Sequence, residues 1–299
     1  MLKKIELNDV DKYIFFIAIF LLPSATIISF ALLIINLIIG IKKDFIKLIS
    51  NKWNYPLILA IIFMPLIVIF QNEGQNNLLV WDKSLSWFGL GNWLPLFFCF
   101  LGLQYYIKSS KDRLIFERVL LAGSVPVIIS GFLQYWFHLY GPFETLNGLI
   151  IWFQKPIVDD QGLSGLFNNS NYAGSWFCIV WPFALATFLD SYKNILNKVV
   201  TLILLTSITI ALMLTASRNA WGGLILLIPL MTGSSGIIAL LPLIIITSLL
   251  IFISVSPQIP EIFQNSLREI IPNSIWKKFT DEYYEARISR IEINYDLYR

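Results

Sequence analysis

Arginines carry most of the chemistry that this sequence can offer. Arg218 stands in Thr215-Ala216-Ser217-Arg218-Asn219-Ala220-Trp221, a short turn between two very apolar stretches. A guanidinium at a bilayer boundary is costly unless it snorkels to water or meets an anion. Its planar fork of donors matches phosphate oxygens. Arg287 and Arg290 are three residues apart and share one face if their stretch is helical. A third group is polar rather than charged: Gly162-Leu163-Ser164-Gly165-Leu166-Phe167-Asn168-Asn169-Ser170-Asn171, directly before an apolar run. Ser170 or Asn171 is placed to cap the helix that follows, and a helix N-terminus presents unpaired N–H groups to anions.

Each of these has a plainer reading. Arg218 can be a snorkelling interfacial arginine, the Asn-rich loop a simple cap, and Arg287 with Arg290 a solvated helix face. Asn168-Asn169-Ser170 also fits a glycosylation sequon, a pattern common by chance. Three arginines expected on one side of a membrane favour an anionic partner. The sole histidine, His138, falls where a helix leaves the membrane, and a structural role is the simpler account. Asp159-Asp160 reads as an exposed acidic turn. Cys99 and Cys178 lie inside apolar runs with no Cys or His at ligand spacing, so neither a metal nor a disulfide is expected.

Composition names the medium that must hold these residues. Hydrophobic residues form 57% of the 299 and charged residues 14%, with a mean hydropathy of +0.70. A soluble domain carries about a quarter charged residues. The net charge of +3 is too small and too dispersed for a nucleic-acid partner. A spanning helix needs about 17–25 apolar residues. Apolar runs fall at 13–40, 54–70, 92–107, 115–138, 172–190, 197–214, 218–231 and 236–255. The first run is too long for one upright helix, so Pro23-Ser24 suggests either one tilted helix or a hairpin of two. It lacks a small-residue cleavage site and reads as a retained anchor.

Short-loop lysines and arginines set the orientation. Lys42, Lys43, Lys47 and Lys52 in 41–54, and Lys108, Lys111, Arg113 and Arg118 in 108–118, belong in the cytoplasm. Segments 71–91 and 139–171 belong outside. Lys3, Lys4 and Lys12 favour a cytoplasmic N-terminus. A hairpin at the first run satisfies all of these. The expectation is an all-α polytopic transmembrane bundle of about nine helices over 1–255. Residues 256–299 form an extracytoplasmic segment, helical in its second half. Trp81, Trp87, Trp93, Trp136, Trp152 and Trp221 should mark outer helix ends as an interfacial belt. Trp181-Pro182 is the one prominent break at depth. The helical pattern is still running at Arg299, so the extracytoplasmic segment is expected to be incomplete.

At these residues the chain resembles the O-antigen ligase and polymerase superfamily of bacterial membrane glycosyltransferases. Gly165-Leu166-Phe167-Asn168-Asn169-Ser170-Asn171-Tyr172-Ala173-Gly174 is similar to the family's Gly-x-Phe-x-Asn-x-Asn-x-x-Ala signature. Thr215 to Trp221 is similar to its Thr-x-Ser-Arg-x-Ala-Trp turn, and Ser289-Arg290-Ile291-Glu292-Ile293 to a shorter segment of its large external loop. The resemblance implies a bacterial inner-membrane protein with residues 256–299 periplasmic. Its substrate would be an undecaprenyl-pyrophosphate-linked glycan, passed to a lipid or glycan acceptor hydroxyl among membrane lipids without metal or cofactor. It implies catalytic roles for Arg218 and Arg290, and substrate binding by Asn168, Asn169, Asn171 and Arg287. The family's histidine lies beyond the segment matching Arg290 and has no counterpart in this chain. Other members are named for bicarbonate uptake, which leaves a transport function as the alternative.

Overall fold

A segment surrounded by lipid must satisfy its backbone hydrogen bonds internally, so apolar runs of this length fold as helices. The computed structural model describes residues 10–70, 83–157, 162–191, 194–233 and 258–270, with scattered residues between 238 and 256. Nine α-helices lie among the described residues. They are α1 (Val10–Leu21), α2 (Thr26–Ser50), α3 (Tyr55–Phe70), α4 (Lys83–Leu103), α5 (Ser110–Phe137), α6 (Ser170–Asp190), α7 (Ile195–Leu214), α8 (Arg218–Thr232) and α9 (Glu261–Ile270). One two-stranded hairpin, β1 (Phe143–Thr145) with β2 (Ile150–Trp152), interrupts them. Among the described residues, six helical stretches are long and apolar enough to cross a membrane: Thr26–Ser50, Lys52–Phe70, Leu85–Tyr106, Ser110–Phe137, Ser170–Asp190 and Ile195–Leu214. The architecture is that of an all-α, multi-pass membrane protein. The run at 236–255 lies largely outside the described residues.

Several helices extend beyond their apolar runs. α2 continues through Lys42, Lys43 and Lys47 to Ser50, and α5 starts at Ser110. The loops expected at 41–54 and 108–118 are therefore mostly helix. Two devices explain it. Ser109 and Asp112 form a reciprocal cap, each backbone N–H meeting the other's side chain at 3.1 Å. Ion pairs hold the charged turns to their neighbours. α4 likewise begins at Lys83, nine residues before its apolar run, which puts Trp93 in mid-helix rather than at an end. Pro182 does not break α6, which is continuous from Ser170 to Asp190. Trp181 Nε1 donates to Thr209 Oγ1 at 3.0 Å and ties this level of α6 to α7.

The chain divides into two compact units, with the boundary inside α5 between Pro126 and Val127. In the first (residues 1–126 with 144–151), α1 and α2 form an antiparallel hairpin about Leu22–Ala25. Ser29 Oγ donates to Ala18 O at 2.8 Å near the turn, and Lys43 meets Asp11 at 2.7 Å at the far end. Asp112 takes Lys12 at 2.5 Å, and Asp44 takes Lys108 at 2.5 Å and Lys47 at 3.8 Å. Three carboxylates thus gather one end of α1, α2 and α5 with the turn after α4. Deeper in, Phe15 stacks on Tyr106 at 4.9 Å between ring centroids, and Tyr106 Oη donates to Asn36 O at 3.0 Å. Gly40 and Gly102 let the backbones of α2 and α4 touch, since a Cβ on Gly40 would run into Gly102 O.

The second unit comprises residues 127–143 and 152–299. Its described part centres on α6, α7 and α8, packed around Ala173, Phe177, Val180, Ile208, Ala211 and Leu212, all buried.

Gly40→Val forces a branched side chain against backbone, where overpacking costs about 1–3 kcal/mol. Its unfolding temperature in detergent is expected to fall. Gly89→Ala, at a site with open space around it, is expected to hold or raise it, since Ala gains up to about 1 kcal/mol over Gly in a helix. Equal melting of Gly40→Val and wild type would mean that α2 and α4 are not in backbone contact.

Candidate anion-binding site

Between Phe137, where α5 ends, and Ser170, where α6 begins, the described residues form no helix and need other partners for their backbone. Two glutamines supply them. Gln134, 1% exposed, lies on the last turns of α5. Its Oε1 accepts from both Ser164 N and Gly165 N at 2.9 Å. Its Nε2 donates to Lys155 O at 2.6 Å and to Ser164 Oγ at 2.8 Å. Two lone pairs and two N–H groups are all used. Gln154, 2% exposed, accepts from Ser130 Oγ at 2.7 Å and donates to Leu139 O at 3.0 Å. Leu163 N donates to Leu214 O at 2.8 Å, pinning the loop onto the end of α7. Gly162 sits directly against Thr215 O, where no side chain would fit. Gly165 has φ +57 and packs on the backbone of Val127. Residues 162–166 are buried, and the chain then surfaces at Asn168 and Asn169.

The cap of α6 is Asn169, not Ser170 or Asn171. Asn169 is extended, with φ −147 and ψ 136, and its side chain accepts from Asn171 N at 2.8 Å. The extended residue comes earlier because Ser170 has already entered the helix. Asn168, Asn169 and Asn171 are all exposed around this N-terminus.

α8 begins after a tight turn. Ala216 adopts φ +52. Thr215, itself buried, donates through Oγ1 to Leu212 O at 2.7 Å and receives Ser217 N at 3.3 Å. Ser217 holds the N-cap position, but its hydroxyl caps nothing. Ser217 Oγ is buried and has no hydrogen-bond partner among the described residues. Arg218 is the first residue of α8 and is exposed.

Gly174 joins the two motifs. A Cβ at this position would lie 2.9 Å from the Cβ atoms of both Ser217 and Ala220. One turn along each helix, Gly223 is in close contact with Cys178 Sγ. Residue 174 therefore opposes 217 and 220, and 178 opposes 223. α6 and α8 run side by side in the same direction, with adjacent N-termini. Each N-terminus carries roughly half a positive charge. Parallel alignment puts both at one end, and Arg218 adds a full charge there. Two positive helix ends, a guanidinium and three exposed asparagines together form a site suited to an anion rich in oxygen.

The structure thus brings Arg218, Asn168, Asn169 and Asn171 to one pair of helix ends. Arg287, Arg290, Asp159 and Asp160 lie outside the described residues. His138 is exposed, with Nδ1 3.0 Å from Tyr140 Oη. Gln134 and Gln154 are the functional supports that the motifs did not reveal. Their signal was Ser130 and Gln134, a polar pair four residues apart within an apolar run.

Gln134→Leu leaves two buried N–H groups without acceptors, at about 1–3 kcal/mol each. Hydrogen exchange in detergent should quicken at Ser164 and Gly165 by at least tenfold while α7 is unaffected. Unchanged protection would show that the loop is held by something else. No protein-family model, no curated protein and no solved structure matches this chain.

Proposed function

We propose that the paired N-termini of α6 and α8 bind the diphosphate of a lipid-linked glycan. On this reading the chain is a membrane glycosyltransferase-like protein of the O-antigen ligase and polymerase type. It takes a glycan from undecaprenyl pyrophosphate and passes it to an acceptor hydroxyl at the outer leaflet. The observation that carries the proposal is the parallel contact of α6 and α8 at Gly174, which sets Arg218 beside two positive helix ends. By the positive-inside rule, the lysine-rich segments 41–54 and 108–118 belong in the cytoplasm, and the loop 139–171 before α6 belongs outside.

The chemistry asks for what this site offers. As the acceptor oxygen bonds to the anomeric carbon, the bond to the diphosphate breaks and negative charge grows on the leaving oxygens. Donors fixed before the reaction stabilise that charge without reorganising. Arg218 supplies the guanidinium, and the two helix ends supply the positive poles of their dipoles. Asn168, Asn169 and Asn171 can orient sugar hydroxyls, but a neutral amide does not take the acceptor's proton. The base, and the roles proposed for Arg287 and Arg290, belong to residues outside this cluster.

Purified, detergent-solubilised protein should bind an undecaprenyl pyrophosphate analogue. Arg218→Ala removes a charge-assisted contact worth roughly 1.5–3 kcal/mol, so affinity should fall about tenfold or more. Equal affinity in both proteins, or no binding in either, would reject the assignment.

A further inference from the structure

We propose that the basic end of the first unit is a binding rim for acidic phospholipid headgroups, with Lys42 as its deepest anchor. The carboxylates at this end are already engaged. Asp11, Asp44 and Asp112 each hold a lysine, and Glu117 has an interaction of its own. Five cations remain with no ion pair among the described residues: Lys42, Lys52, Lys111, Arg113 and Arg118, all exposed.

Their neighbours identify the occupant. Ile38, Lys42, Ile46 and Ile49 follow one another at helical spacing along α2 and are all exposed. Lys42 therefore stands inside an apolar stripe, with Ile46 roughly 6 Å further towards the helix end. Ile46 is 82% exposed, and Trp53, next to Lys52, is 89% exposed. Bare isoleucine beyond a lysine suits a surface that meets lipid, and an exposed tryptophan is the usual residue at headgroup depth. A soluble acidic partner would have to cover that apolar stripe to reach Lys42. A phospholipid satisfies both requirements at once, with acyl chains along Ile38 and phosphate at the ammonium.

The test is native mass spectrometry of the detergent-purified protein, titrated with phosphatidylglycerol or with phosphatidylcholine of identical chains. Wild type should retain phosphatidylglycerol preferentially. Lys42→Gln should weaken that retention about fivefold, and Lys42→Gln with Lys52→Gln further still. Phosphatidylcholine retention and melting temperature should stay unchanged. Arg218→Ala should behave as wild type, which separates this rim from the diphosphate site. Equal retention of the two lipids by wild type, or full preference in Lys42→Gln, would overturn the proposal. So would release of phosphatidylglycerol by millimolar inorganic phosphate, which would mark a site for soluble anions.

Discussion

Lipid offers no hydrogen bonds, and this chain is arranged around that fact. Wherever the sequence is apolar the backbone closes on itself as helix, so proline is tolerated at 65, 95, 126, 182 and 229 without ending the element. The difficulty comes where the chain must leave helix and still remain buried. Residues 162–166 are in that position. Gln134 resolves it by acting as a substitute backbone, taking two N–H groups on one atom and giving two on the other. Gln154 does the same against α5 and the residues just after it. A fully satisfied polar network of this kind rigidifies what it holds. The candidate anion site depends on it, because it places the Asn-rich tip at the start of α6.

Glycine supplies the second constraint. Side chains at 174 and 223 would push α6 and α8 apart, and the helix ends would then act separately. Small residues at helix interfaces allow backbones to approach closely in membranes, where packing rather than the hydrophobic effect drives association. The close approach here has an electrostatic consequence. Parallel dipoles set side by side oppose one another, which makes this pairing poorer than an antiparallel one unless negative charge meets the shared end. Gly174 thus links packing to the charge gathered at this end.

Much of the fold was legible from the order of apolar runs, because a bilayer leaves little choice of secondary structure. The helix ends were not. α2 runs on to Ser50 and α5 starts at Ser110 because Asp11, Asp44 and Asp112 neutralise lysines from other segments, and such pairings are nonlocal. The cap at Asn169 differs from the expected one by a residue or two, since Asn169, Ser170 and Asn171 are all good caps. At the site, Arg218 and the Asn-rich loop were visible as residue types at turns. Their meeting was not, because it depends on Gly174 facing Ser217 and Ala220 across 43 and 46 residues of chain. Gln134 was hidden for a related reason. A single glutamine in an apolar run looks like a blemish until its partners, 21 to 31 residues away, are in place.

The two units use positive charge differently. At the charged end of the first, Asp11, Asp44 and Asp112 take lysines, and two of those lysines also sit over the Tyr105 ring, at 5.4 Å for Lys43 and 4.2 Å for Lys108. That charge is structural: it orders the ends of α1, α2 and α5. In the second, Arg218 occupies the first position of a helix, where a cation works against the helix dipole and a carboxylate would stabilise it. For the helix dipole alone, a serine cap followed by Asp or Glu would make a better start to α8. An exposed arginine at this position, beside a second helix N-terminus, is what the proposed diphosphate site would require. Local rules of stability are commonly broken at functional sites, and the first turn of α8 breaks one of them.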